Sequence, residues 1–118
     1  IETIREIEVA RDGQEALEYL FENENPPQPV FILLDLKLPK ISGVEVLKKI
    51  KTHENTKRIP TIIFSSSQLG SDRYDCYELG ANSYISKPVE FSEYVQVVSQ
   101  IGTYWSSFNA PVPSDNAD

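Results

Sequence analysis

Hydrophobic and polar positions in this chain switch between a period of two and a period near 3.6, and each switch marks an element. Within Ile4–Ala10, Ile7 and Val9 stand at alternate positions, the spacing of a short strand. Arg11-Asp12-Gly13 interrupts it. Asp12 with Glu15 three residues on resembles a capping box, and Ala16, Leu17, Leu20 and Phe21 share one face of the helix that follows. Asn23–Pro29 is polar and proline-rich and reads as a loop. Val30-Phe31-Ile32-Leu33-Leu34 is a continuous apolar run behind Pro29, which predicts a strand buried on both faces. Ser42-Gly43-Val44-Glu45 opens a second amphipathic helix, continued by Leu47 and Ile50. After the charged stretch Thr52–Ile59, Pro60–Phe64 predicts another buried strand, ending in the hydroxyl cluster Ser65-Ser66-Ser67. Ser71–Leu79 reads as a helix closed by Gly80 at a C′ position. Asn82–Ser86 is a short strand, and a last helix from near Phe91 carries Tyr94, Val95, Val98 and Ile101 at helical spacing. From Asn109 the chain is mostly Pro, Ala, Ser, Asn and Asp, a composition expected to be disordered over 109–118.

Alternating strands and helices predict a parallel sheet with helices on both faces. In open sheets of this class the reactive crevice lies at the carboxyl ends of the strands. That rule selects Asp35, Ser65 and Lys87, each directly following a predicted strand core.

Composition narrows the function classes. The 118 residues suit one domain with a single modest core. The net charge of −7 argues against a nucleic-acid surface, which needs clustered Lys and Arg. No apolar run approaches a membrane span. Cys76 is the one cysteine, so no intramolecular disulfide can form, a cytoplasmic location is expected, and a small semi-buried side chain is the expected role. His53 lies in the charged loop and reads as a solvated side chain.

Alone, Asp35 would be a turn residue, Ser65 a local backbone partner and Lys87 a surface cation. Together they bring a carboxylate, a hydroxyl and an ammonium to one crevice. A carboxylate can accept a phosphoryl group, a hydroxyl can donate to a phosphoryl oxygen, and an ammonium can offset the added charge. Here the chain resembles a known family. Asp35-Leu36-Lys37-Leu38-Pro39 with Gly43, Pro60 followed five residues later by Ser65, and Gly80-Ala81-Asn82-Ser83-Tyr84-Ile85-Ser86-Lys87-Pro88 are similar to the signatures of response-regulator receiver domains. Ser65 and Lys87 lie 30 and 52 residues after Asp35, in register with that family.

The resemblance covers about residues 5–105. It implies a flavodoxin-like α/β three-layer sandwich whose parallel sheet has the order 2-1-3-4-5, with the receiver domain over 1–108. It further implies Asp35 as phosphoacceptor, with Ser65, Tyr84 and Lys87 as phosphoryl-binding and switch residues. A cis peptide bond before Pro88 and a Mg²⁺ ion on Asp35 and the Lys37 carbonyl follow from the same likeness, as does a partner histidine kinase. Residues 82–105, with Lys87-Pro88-Val89-Glu90-Phe91 and Tyr104-Trp105, look most like single-domain regulators serving bacterial and cyanobacterial phytochromes, so a phytochrome-type photoreceptor kinase is the narrower expectation.

One departure stands out. The family's first strand ends in an acidic pair that helps hold Mg²⁺, further upstream of the phosphoacceptor than the 34 residues available here. No residue of this sequence is assigned to that pair; the first strand and most of the first helix are missing from it. An unphosphorylated, receiver-like interaction module is therefore the alternative reading. A haloacid-dehalogenase-like phosphatase would need a second Asp two residues after Asp35, where Lys37 stands, so the chain is expected not to be an enzyme beyond self-catalysed phosphorylation and dephosphorylation. The aromatic residues Tyr94, Tyr104 and Trp105 exceed what one helix needs for packing, and predict a homodimer through the last strand and last helix.

Overall fold

The computed structural model describes residues 7–22, 24 and 28–113. Four α-helices and three strands follow in the order α1 (Gly13–Phe21), β1 (Ile32–Leu34), α2 (Gly43–Thr52), β2 (Thr61–Ser65), α3 (Gly70–Glu78), β3 (Ser83–Ser86) and α4 (Phe91–Thr103), which runs into a π-helical turn at Tyr104–Phe108. The sheet is parallel, in the order β1-β2-β3, with Ile32 beside Thr61 and Ile63 beside Tyr84. This is the flavodoxin-like α/β architecture, of which these strands form the 3-4-5 part.

α1 and α2 begin where the side chains expected to cap them stand. Asp12 Oδ1 accepts from Glu15 N at 2.8 Å, and Ser42 Oγ accepts from Glu45 N at 3.3 Å. The Glu15 N–H is the main reason the Asp12 carboxyl titrates below its usual range, and the Lys40 ammonium adds to it. Lys49 and Lys51 in the last turn of α2 sit against its negative dipole end. Gly80 closes α3 with φ of 104°, a backbone conformation only glycine adopts without strain. Gly80 N donates to Tyr77 O and Ala81 N to Cys76 O, each at 3.0 Å, the paired bonds of a Schellman stop.

β2 is the centre of the sheet and is buried throughout. Ile62 and Ile63 from β2, with Leu47 and Ile50 from α2, are fully excluded from solvent. Burying each such side chain contributes about 1.5–3 kcal/mol. Cys76 faces the same core, fully buried rather than semi-buried, and burial pushes its thiol pKa up. Lys51 braces the amino ends of β2 and β3. Its ammonium donates to Lys57 O at 3.1 Å, and to Ile59 O and Asn82 Oδ1 at 2.9 Å each. Asn82 Oδ1 also accepts from Thr61 N at 2.8 Å. Burial lowers the Lys51 pKa, and the three oxygens offset the cost of that burial.

Three expectations change. The strand expected over Ile4–Ala10 is not seen: 1–6 lie outside the described residues, and 7–10 are irregular, with Ile7 and Val9 each 72% exposed. A strand needs a ladder partner and a covered face, and neither reaches this stretch among the described residues. The Val30–Leu34 run forms a ladder only at Ile32–Leu34, and Leu33 is 38% exposed rather than buried, because β1 has a strand on one side only among the described residues. His53 is exposed as expected, but it is the C-cap of α2 and its ring lies 4.8 Å from that of Phe21. Residues 109–113 carry no regular structure, and the remainder of the expected disordered tail, 114–118, lies outside the described residues.

Candidate functional site

Three parallel strands end side by side, and each delivers one functional group. Asp35 follows the last residue of β1, Ser65 is the last residue of β2, and Lys87 follows β3. The ladder pairs Ser65 with Ser86, and Lys87 N donates to Ser65 O at 2.9 Å, so Lys87 is held one step beyond the sheet. From there its ammonium reaches across the end of β2 and forms an ion pair with Asp35 Oδ2. The aliphatic stem also places the ammonium 5.8 Å from the centre of the Phe64 ring.

The other carboxylate oxygen is fixed locally. Asp35 Oδ1 accepts from Lys37 N at 3.0 Å, an Asx-type turn that bends the chain away from the strand. The loop continues through Pro39 to Lys40, whose φ of 66° is left-handed. It returns so that Gly43 N donates to Leu36 O at 2.9 Å. A Cβ at Gly43 would stand 2.0 Å from Asp35 O and 2.6 Å from Leu36 Cα, so only glycine lets α2 approach the carboxylate loop this closely.

Asp35 and Lys87 remain part-exposed, at 33% and 28% of their side chains, whereas Ser65 is buried. A buried hydroxyl beside a reachable carboxylate suits a ligand that enters from solvent. Ser65 Oγ accepts from Ser67 N at 3.1 Å. Tyr84, half-buried on β3, turns its hydroxyl toward Ser67 O at 3.4 Å. Four side chains expected to act together are thus near one another: Asp35 and Lys87 in direct contact, Ser65 on the strand between them, and Tyr84 joined to Ser65 through the backbone of Ser67.

The expected cis bond before Pro88 is a correction: the Lys87–Pro88 bond is trans, as is every other described peptide bond. The trans isomer is the lower in energy by about 0.5–1 kcal/mol even for proline. The Asp35 carboxylate and the Lys37 carbonyl are hard oxygen donors of the sort Mg²⁺ prefers. Among the described residues, however, no group of three His, Cys, Asp or Glu is placed to hold an ion.

Sequence reasoning missed two partners at this end of the sheet. Ser67 Oγ donates to Asp72 Oδ2 at 2.5 Å, and the ring of Phe64 lies under Lys87. The Ser65-Ser66-Ser67 cluster hinted at the first. The second had no sequence signal, because Phe64 reads simply as a buried strand residue.

A carboxylate, a hydroxyl and an ammonium thus stand at three neighbouring strand ends of this fold, and comparison with known proteins gives the family. Residues 1–99 match the response regulator receiver domain family, and the chain belongs to it. It is 39% identical over 111 residues to the probable methanogenesis regulatory protein FilR2 of Methanothrix harundinacea, covering 92% of this chain and 72% of that protein. It is also 39% identical over 103 residues to the response regulator Rcp1 of Synechocystis, covering 85% of this chain and 70% of Rcp1. Among solved structures, the phosphorylated cyanobacterial phytochrome response regulator RcpA superposes with a TM-score of 0.83 at 42% identity, covering 89% of this chain and 76% of RcpA. The Mn²⁺-bound form of Rcp1 superposes with a TM-score of 0.80 at 37% identity, covering 87% of this chain and 76% of the Rcp1 chain. The protein is therefore a response-regulator receiver, a phosphoacceptor by family.

Proposed function

We propose that Asp35 is the phosphoacceptor, that a partner histidine kinase donates the phosphoryl group, and that the resulting aspartyl phosphate switches a protein-binding face. The observation that carries this reading is the Lys87–Asp35 ion pair at the ends of strands flanking Ser65. An Asp35 carboxylate oxygen attacks phosphorus as the bond to the kinase histidine nitrogen breaks, and the nitrogen keeps the electron pair. Lys87, already at the carboxylate, balances the charge that arrives, and Ser65 donates to a phosphoryl oxygen. Positioning and electrostatics of this kind are most of what phosphoryl transfer requires. Bound Mg²⁺ would neutralise phosphoryl charge. Asp35 and Lys37 O would hold it, with water in other positions. The receiver unit spans residues 1–108 in this reading, with 109–118 as a tail, and it has no catalytic activity beyond its own phosphorylation and dephosphorylation.

The test is incubation of the full-length protein with a small acyl phosphate and Mg²⁺. One acid-stable, base-labile phosphoryl group per chain is expected by intact mass. Absence of any incorporation from both the acyl phosphate and a histidine kinase would instead support the unphosphorylated interaction module. Lys87→Gln is expected to slow incorporation by about 100–1,000-fold, the usual effect of deleting one group that stabilises developing charge. Stopped-time labelling measures this, and an unchanged rate would remove Lys87 from the chemistry.

The likeness to RcpA and Rcp1 supports a phytochrome-type photoreceptor kinase as the partner. No helix among the described residues is long and apolar enough to cross a membrane, and a cytoplasmic kinase domain is the proposed donor. The face beside the site is apolar: Val89, Phe91, Tyr94, Val95, Tyr104 and Phe108 are all exposed. Such patches mark association surfaces, and a homodimer through β3 and α4 is the proposed assembly. Sedimentation at tens of micromolar should show a dimer that Phe91→Glu with Val95→Glu converts to monomer. A wild-type monomer at high micromolar concentration, with and without a phosphate analogue, would refute it.

A further inference from the structure

Phe64 stands level with the carboxylate at the end of β1. The β1–β2 register pairs Leu33 with Ile62 and Leu34 with Ile63, so one step further it sets Asp35 beside Phe64. The β2–β3 register pairs Phe64 with Ile85, two residues before Lys87. Alternate residues of a strand share a face, which places Asp35, Phe64 and Lys87 on one side of the sheet with Phe64 between the other two. To pair with Asp35, the Lys87 side chain passes the Phe64 ring, and its ammonium lies 5.8 Å from the ring centroid. That distance falls within the ~6 Å range of cation–π attraction. The ring itself has little freedom. Phe64 is 3% exposed, and the Tyr94 ring of α4 packs on it at 5.4 Å between centroids, tilted by 48°.

We propose that Phe64 is a positioning residue for phosphoryl transfer: its ring steers the Lys87 ammonium across the end of β2 to Asp35. This rests on the reading of Asp35 and Lys87 given above. Lysine carries its charge on a flexible four-carbon stem. The Lys87 side chain is 28% exposed, so solvent competes with the carboxylate for its ammonium. A buried π face along the path favours the conformers that point toward Asp35. An aliphatic side chain in the same place would fill the core but offer no such face. Geometry held in advance of a reaction lowers its barrier. Phe64 touches no reacting atom, so its effect on the rate runs through Lys87.

The test is a double-mutant cycle on the full-length protein, read as the initial rate of phosphoryl incorporation from a small acyl phosphate with Mg²⁺. Phe64→Leu should slow incorporation about fivefold, the scale of one cation–π contact at a part-exposed site. In the Lys87→Gln background the same substitution should change the rate by less than about twofold, because a neutral amide is not drawn to the ring as an ammonium is. Phe64→Tyr keeps a π face and should retain most of the wild-type rate. Ile62→Val, two residues earlier on the same buried side of β2, is the stability control. It should lower the thermal midpoint and leave the rate at the wild-type value. If Phe64→Leu does not fold, nuclear Overhauser contacts in the wild-type protein between the Phe64 ring and the Lys87 ε-methylene protons decide the question: their presence supports the positioning role and their absence overturns it. Equal slowing by Phe64→Leu in both backgrounds would overturn the proposal alone and leave Phe64 as core packing, as would an unchanged rate with Lys87 intact. A wild-type protein that takes up no phosphoryl group would overturn the Asp35 reading itself, and this proposal with it.

Discussion

Asp35→Asn is expected to bring phosphoryl incorporation down to background while leaving the fold intact. The substitution keeps the shape of the side chain and an oxygen that can still accept from Lys37 N, so the turn after β1 should persist. What it removes is the negative charge, and a neutral amide oxygen is too poor a nucleophile to attack phosphorus. The Lys87 partnership becomes a weaker contact between an ammonium and a neutral amide oxygen. Both partners of that pair are roughly a third exposed, and pairs in that setting contribute about 0–1 kcal/mol, so the thermal midpoint should move by a few degrees at most. Intact-mass analysis after acyl phosphate treatment separates the two effects. Labelling equal to wild type would place the acceptor elsewhere.

Gly43→Ala should cost both stability and phosphorylation. A methyl group there collides with Asp35 O at 2.0 Å and Leu36 Cα at 2.6 Å, which are backbone atoms with no rotamer to change. The start of α2 and the loop after β1 must separate, and the 2.9 Å bond from Gly43 N to Leu36 O is strained or lost. Overpacking of this kind costs about 1–3 kcal/mol. Because the displaced atoms belong to Asp35 itself, the carboxylate moves relative to Lys87 and Ser65. A misplacement near 1 Å can slow a positioned reaction about 10²-fold. Gly70→Ala is the control: nothing lies within 4 Å of its Cβ position in the first turn of α3. Replacing that glycine should be neutral or stabilise by up to about 1 kcal/mol. Urea midpoints for the two variants, with labelling rates, test this directly. A Gly43→Ala protein as stable and as reactive as wild type would contradict the close approach of α2 to the loop.

The helices were legible because their signals are local. Asp12, Ser42 and Gly80 act on residues within a few positions of themselves, and each does in the fold what its sequence context predicts. The convergence of the candidate site residues was legible for a different reason. A parallel sheet sends all strand ends with the same polarity to one edge, so a polar residue following each apolar run must converge with the others. That rule brought Asp35, Ser65 and Lys87 together without any contact being known.

The expectations that failed were those that depend on neighbours. Whether Ile7 and Val9 form a strand is decided by a ladder partner, not by their alternation, and no described residue supplies one. Leu33 reads as core from its apolar surroundings, yet its exposure is set by what lies beside β1. So, too, the Ser67–Asp72 bond, the Phe64 ring beneath Lys87 and the Lys51 brace arise where the ends of different elements meet. The sequence by itself determined the local helix signals, the parallel direction of the strands and the polar residues at their ends, because each rests on spacing along one chain; the strand order was implied by the family resemblance. Only the tertiary structure decided which of those groups touch and which faces stay open, because both depend on distances between residues far apart in sequence.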